Sequence, residues 1–311
     1  MALALRLSPA GDPATDPEDF FADSLGVVFE DDTLNLHGDA DHGLLYRSPH
    51  LPRQLHISLA DPDGDNDRQL FSHYLWNASL LLAEFVEAGT VTRNGNLQPL
   101  SSSASSSSQP ALESRLGPPL TDFDITNLTT IELGAGTALP SLLAALLGAK
   151  RVVMTDYPAQ RVITNLCENA KRNIKADFSP LPNVAKVEVE GHAWGELSTA
   201  HAEQNHHAFE RIFACDCLWM PWQHENLLKS IDWFLKDDLK ARCWVVAGFH
   251  SGRAAMRQFF DEKKLGAAGL EIEHLWERDV EGVEREWSWD RGIEDPGERK
   301  RWLSIAILKR I

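Results

Sequence analysis

The sequence predicts an α/β protein built on a doubly wound, mostly parallel sheet. From Asn127 onward, short apolar and β-branched runs alternate with segments of helical period, as strands and crossover helices do. Between the first such run and its helix stands Glu132-Leu133-Gly134-Ala135-Gly136-Thr137, a glycine-rich turn. The last two runs, 271–276 and 303–309, have no helix between them, which fits an antiparallel final strand.

Residues 1–70 are rich in Asp, Pro, Gly and His. They read as an N-terminal extension with a short β-hairpin (34–36 with 54–59), not as a full domain. Residues 71–85 read as a helix, with Tyr74, Ala78, Leu81, Leu82 and Phe85 at helical spacing. The stretch 94–119 contains Ser101-Ser102-Ser103-Ala104-Ser105-Ser106-Ser107-Ser108. Such a tract cannot repay its ordering entropy, so a mobile Ser-rich insert is expected, an inert spacer more than a regulatory loop. The predicted strands are then 128–133, 151–155, 186–189, 211–215, 242–247, 271–276 and 303–309. Helices are predicted through 149 and over 160–175, 224–235 and 252–264.

A glycine turn between strand and helix brings bare backbone N–H groups and a helix N-terminus up to a ligand. A dinucleotide fingerprint needs a third glycine three positions after the second, and here that position is Leu139. Glu132 stands two positions before the first glycine, where it would repel a pyrophosphate and suit a cationic ligand carrying an amine and a positive sulfur. Asp156 closes the next strand and can take a pair of ribose hydroxyls.

Thirty basic against 46 acidic residues give a net charge of −16. That disfavours unaided binding to nucleic acid, which needs clustered Lys and Arg. Apolar residues make up 43% of the 311, enough for a sizeable core. Four cysteines without C-x-x-C spacing argue against a disulfide scaffold and a zinc site, so no metal is expected. The opening Met1-Ala2-Leu3-Ala4-Leu5-Arg6-Leu7 is too short for a signal segment, and residues 139–149 are too short to span a bilayer. The expected setting is the cytoplasm, with the nucleus open, and no membrane.

Five motifs occur in order: Tyr74-Leu75-Trp76-Asn77-Ala78, Glu132-Leu133-Gly134-Ala135-Gly136-Thr137-Ala138-Leu139-Pro140, Thr155-Asp156-Tyr157-Pro158, His192-Ala193-Trp194-Gly195 and Ala214-Cys215-Asp216-Cys217-Leu218-Trp219. Together they resemble the lysine-methyltransferase-like branch of the class I, seven-β-strand methyltransferases that use S-adenosylmethionine (SAM). Within it, the chain is similar to fungal proteins labelled nicotinamide N-methyltransferase. The resemblance covers residues 71–311 and implies a Rossmann-like seven-stranded sheet with its last strand antiparallel. It also implies SAM as cofactor, with Gly134 and Gly136 against the methionine moiety and Glu132 facing its ammonium. Asp156 would take the ribose, Tyr157 and Trp194 the adenine, and Trp76 would lie by the cofactor. Trp76 equally suits helix packing, and a core Trp is the lesser alternative for Trp194. Asp216 is expected at the rim where methyl meets acceptor, or else as a cap on the next helix. Many protein-lysine members end the last motif in Tyr; Trp219 here removes a phenol that would bind the amine.

A lysine has a pKa of about 10.4, so a neutral amine near pH 7.4 costs roughly 4 kcal/mol. Burial beside aromatics lowers that cost, and Trp219, Trp222 and Phe249 are the candidates. Asp216 would orient the amine, and His250 is a candidate proton acceptor. The segment 278–299, with Trp287 and Trp289, is expected to form part of the acceptor wall. The leading expectation is methyl transfer to a lysine or N-terminal amine of a protein. A small-molecule N- or O-methyltransferase and a non-catalytic SAM-binding regulator are the alternatives.

Overall fold

A strand covered on both faces has no polar side to show, so it reads as a continuous apolar run. Those runs are the strands of the structure, a computed structural model that describes residues 3–10, 35–38, 43–60, 74–94 and 116–311. Residues 95–115 of the Ser-rich stretch, residue 34 of the expected hairpin and residues 71–73 of the expected helix lie outside the described residues.

In chain order come β1 (Leu7–Pro9), β2 (Leu36–His37), β3 (Leu44–Tyr46), β4 (Leu55–Ile57) and β5 (Leu75–Trp76), then α1 (Asn77–Asn94). Next are β6 (Thr129–Leu133), α2 (Leu139–Leu146), β7 (Arg151–Asp156), α3 (Gln160–Asn173), β8 (Lys186–Gly191), α4 (Ala200–Gln204), β9 (Arg211–Cys215), α5 (His224–Phe234) and β10 (Arg242–Gly248). The chain continues through α6 (Arg253–Met256), α7 (Glu262–Ala267), β11 (Leu270–Asp279), β12 (Glu284–Glu286), α8 (Pro296–Lys300) and β13 (Trp302–Arg310).

The central sheet has the order β12-β11-β13-β10-β9-β6-β7-β8. Strands β10, β9, β6, β7 and β8 run parallel, and β13 lies antiparallel between β10 and β11. All seven expected strands are present. An eighth, β12, pairs with β11 at the edge; its Glu-Arg-Glu sequence has no apolar alternation to announce it. Phe213, Trp244, Phe123 and Phe85 form a ladder of rings on one face, with successive centroids 5.3, 5.1 and 4.6 Å apart. On the other face, Leu227, Ile231 and Phe234 of α5 join Ile212, Ala214 and Val245 in a second buried cluster.

Three expectations need correction. The helix predicted over 71–85 begins at Asn77, because Leu75 and Trp76 pair antiparallel with His37 and Leu36. A distant partner overrode the local period. The helix predicted over 252–264 is broken at Asp261, whose carboxylate accepts the N–H groups of Lys263 and Lys264 and restarts the helix. The hairpin is also displaced: β3 pairs with β4, with β1 on the other edge of β3, while β2 belongs to β5.

The described parts of the extension are tied to the body by polar bonds. Asn173 of α3 accepts the His56 N–H at 2.8 Å and donates to the His56 carbonyl at 2.9 Å. One helical turn earlier, Asn169 does the same for Ser58, at 2.8 and 2.9 Å. Two buried amides thus act as the missing edge partner of β4 and its continuation. Arg6 binds Tyr46 and the α1 carboxylates Glu84 and Glu87, and Glu87 also takes Ser48 and His50.

Replacing Asn173 by Ala strands both His56 backbone groups, and the protein should lose about 2 kcal/mol of stability. A urea-melt midpoint measures the loss; an unchanged midpoint would show that the pairing contributes nothing.

Candidate active site

The chain runs outward from β6 to β7 and β8, then returns to β9 on the opposite side of β6. That reversal opens a crevice at the C-terminal strand ends, the usual ligand position in such sheets. The cleft of this protein lies there.

Its floor is the turn after β6. Gly134 and Gly136 have φ of +69° and +53°, in the left-handed region that favours glycine. A Cβ on Gly134 would stand 3.0 Å from Cys217 Sγ and 3.0 Å from a ring carbon of Trp194, so the turn admits no side chain. The Asp156 carboxylate braces the turn by accepting the N–H groups of Gly136 and Tyr157, both at 2.7 Å. Burial pushes the Asp156 carboxyl up to about 6 against those bonds.

Trp76, Gly134, Gly136, Asp156, Tyr157, Trp194 and Asp216 all line the cleft, as does Trp219. Glu132 does not. It lies fully buried behind the turn, where one oxygen accepts the Ser141 N–H in the first turn of α2 at 3.3 Å. The other oxygen has no partner. Burial raises its carboxyl to about 8, so at neutral pH it is largely uncharged in the free protein. Its bond to Ser141 caps α2, which has no side-chain cap of its own at Ala138.

Asp216 follows β9 with a φ of +56°, a conformation Asp tolerates better than most residues. Its Oδ1 accepts the Gly248 N–H at 3.0 Å, and its Oδ2 lies 2.8 Å from His250 Nε2. It bonds across to β10 and caps no following helix. His250 stands behind Asp216 and outside the lining, with Trp76 packed on its ring at 4.7 Å between centroids. Burial draws the His250 pKa down, the Asp216 carboxylate raises it by more, and the net shift is upward. With Nε2 occupied by Asp216, His250 is not placed to take a proton from an acceptor directly.

Trp219 is the one member of the expected aromatic trio in the lining. Trp222 packs edge-on against it at 6.4 Å and is 71% exposed at the rim. Phe249 is buried against Arg253 and Trp287. No residue of 278–299 lines the cleft; Trp287 packs behind Phe249, and Arg253 ties the segment down through Glu294 and the Ser288 carbonyl.

Several lining residues were given no role by the sequence, His192 among them although it opens one of the five motifs. His192 faces the cleft, held by Ser230 Oγ at 2.9 Å, and burial lowers it to about 4, so it stays neutral. Ser79, Met220, Gln223 and Asn226 also line it. Nearness to the Trp76 and Trp219 motifs is the signal that could have found them. Among the described residues, no group of three or more His, Cys, Asp or Glu could hold a metal ion, and no helix is long and apolar enough to cross a membrane.

Three curated relatives are similar to this chain. Protein N-terminal and lysine N-methyltransferase efm7 of Schizosaccharomyces pombe is 24% identical over 237 residues, covering 72% of this chain and 77% of that protein. Its namesake in Gibberella zeae is 27% identical over 241 residues, 73% and 74% of the two chains. The namesake in Kluyveromyces lactis is 34% identical over 130 residues, 38% of this chain and 48% of that protein. The sequence profile described as lysine methyltransferase matches residues 65–265, which carry the glycine turn, Asp156, Trp194 and Asp216. A match over more than half the chain, on the residues that build the cleft, makes this protein a member of the lysine methyltransferase family.

Proposed function

We propose that the protein transfers a methyl group from SAM to an amine of a protein, either a lysine side chain or an N-terminal amine. The observation that carries this is one cleft with two differently built ends: the bare glycine turn with Asp156, and the locked Asp216 beside Trp219. Family membership and the names of the relatives support a protein acceptor over a small metabolite.

The residues present fit SAM. The turn is bare because a Cβ on Gly134 would collide with Cys217 and Trp194. Glu132 keeps an unpartnered buried oxygen behind the turn, which can answer an ammonium through water. Asp156 keeps lone pairs for two hydroxyls beyond its two backbone bonds. Trp194 and Tyr157 offer flat faces to adenine. When bound, SAM supplies an electrophilic methyl on a positive sulfur.

The chain's own task is alignment and desolvation. Trp76 and Trp219 make an apolar surround that favours the neutral amine. Asp216 is held by two bonds, so its carboxylate cannot swing away as it accepts the amine N–H. Half-exposed Tyr157 and exposed Trp222 leave the rim open to a polypeptide.

Labelled SAM incubated with the protein should label a peptide bearing a free N-terminus and a lysine, and nicotinamide should stay unlabelled. Label on the metabolite alone would reverse the assignment. Asp216→Ala should lower turnover by about a hundredfold or more, while S-adenosylhomocysteine still binds by calorimetry. Asp156 adds a pH dependence. Its raised pKa means that the free protein is favoured by the protonated form and loses that contribution as pH rises through about 6. Hydroxyl donors need the ionised form, so S-adenosylhomocysteine affinity should be full above about 6 and weaken below it. Asp156→Asn should bind weakly with a flat profile; a wild-type profile flat between pH 5 and 7 would refute this.

A further inference from the structure

Asn35 belongs to the N-terminal extension, yet its side chain ends at the active site. Its Nδ2 donates to His250 Nδ1 at 2.9 Å. The opposite nitrogen of that ring, Nε2, is the one 2.8 Å from Asp216 Oδ2. Amide, ring and carboxylate thus form one line leading into the cleft. The Asn35 backbone is fixed as well. Its carbonyl accepts the Asn77 N–H at 3.1 Å, and the next residue, Leu36, pairs with Trp76. The Trp76 ring packs on the same His250, and His37 Nε2 meets Asn77 Oδ1 at 2.7 Å. The two-residue strand that carries the lining Trp76 therefore also seats Asn35.

We propose that Asn35 is a positioning residue for methyl transfer: by donating to Nδ1 it holds His250 as the neutral Nε2–H tautomer, which steadies Asp216 without cancelling its charge. The inference rests on the reading of Asp216 as the group that meets the acceptor amine. An imidazole nitrogen that accepts a hydrogen bond cannot carry a proton at the same time. Were the ring an imidazolium, it would form an ion pair with Asp216, and the carboxylate would attract an amine less. The charged groups that face the ring are Asp216 at the end of β9 and Arg299 of α8. Burial disfavours the imidazolium, Asp216 favours it by more, and Arg299 opposes it, so the balance tips toward the charged ring. The Asn35 amide is the neutral group placed to resist that tilt. No proton moves in this arrangement; it sets which charges are present before the acceptor arrives.

Long-range proton–nitrogen NMR of the free, full-length protein reads the ring directly. In the wild type, His250 should be the Nε2–H tautomer at neutral pH. In Asn35→Ala its titration midpoint should rise by about one pH unit, and turnover near pH 7 should fall roughly tenfold and recover at higher pH. S-adenosylhomocysteine affinity should not change. His250→Gln, a neutral donor that cannot charge, should restore turnover in the Asn35→Ala background. A wild-type ring found as Nδ1–H or imidazolium at neutral pH, or a midpoint that falls in Asn35→Ala, would overturn the proposal. So would failure of His250→Gln to rescue, or weakened S-adenosylhomocysteine binding in Asn35→Ala, because a merely structural role gives those results. The NMR result does not depend on catalysis. An Asp216→Ala protein that still turns over would therefore remove the reading of Asp216 while the tautomer stood.

Discussion

The ligand edge of the sheet depends on how the chain leaves β9. Asp216 turns through a left-handed conformation, and its N–H still donates to Val246 at 2.8 Å while its carboxylate takes the Gly248 N–H. The bond between β9 and β10 thus continues past the last strand residue, and the carboxylate becomes part of the sheet's own fabric. The same turn drops Cys217 under the first glycine bend, where its thiol donates to the Leu133 carbonyl at 3.2 Å. Cys217 in turn helps bar any side chain from Gly134. One backbone choice at Asp216 therefore bears on both ends of the cleft: where its own carboxylate stands and how bare the glycine turn must be.

The inner parallel strands were legible because burial on both faces writes a continuous apolar run, as in Arg151–Asp156 and Arg242–Gly248, and edge β8 by its alternating Val and charge. The glycine turn and Asp156 were legible because close approach restricts the residue types allowed. What the sequence concealed lies where a distant partner decides. Leu75 and Trp76 continue the helical period of α1, yet two residues near position 36 draw them into a strand. β12 is charged and marginal, and it exists only because β11 presents an edge. The depth of Glu132 was hidden for a related reason: the sequence shows a carboxylate two residues before the glycine, but not that it lies fully buried, where desolvation raises its pKa.

The extension carries a similar lesson. Its composition gives no hint of a core, and among the described residues its strands are two or three residues long. β1, β3 and β4 pair with one another, and the body completes them: buried asparagines of α3 bond to β4 and its continuation, β2 pairs with β5, and α1 carboxylates receive Arg6. Such segments have too little apolar surface to fold alone. They can still supply a polar atom at a chosen place, as Asn35 does beside His250.

The position of β13 has a consequence for the order of events during synthesis. Residues 302–310 fill the slot between β10 and β11, with Leu303–Leu308 buried. Until that stretch leaves the ribosome, β10 and β11 have no neighbour to join them, and the nascent chain carries two open edges, the one on β10 apolar. Chains emerge N-terminus first, and unpaired edges invite wrong partners. The sheet is therefore joined across this slot only after Arg310 has emerged, well after Gly248, so its two sides must avoid wrong pairing in the interval.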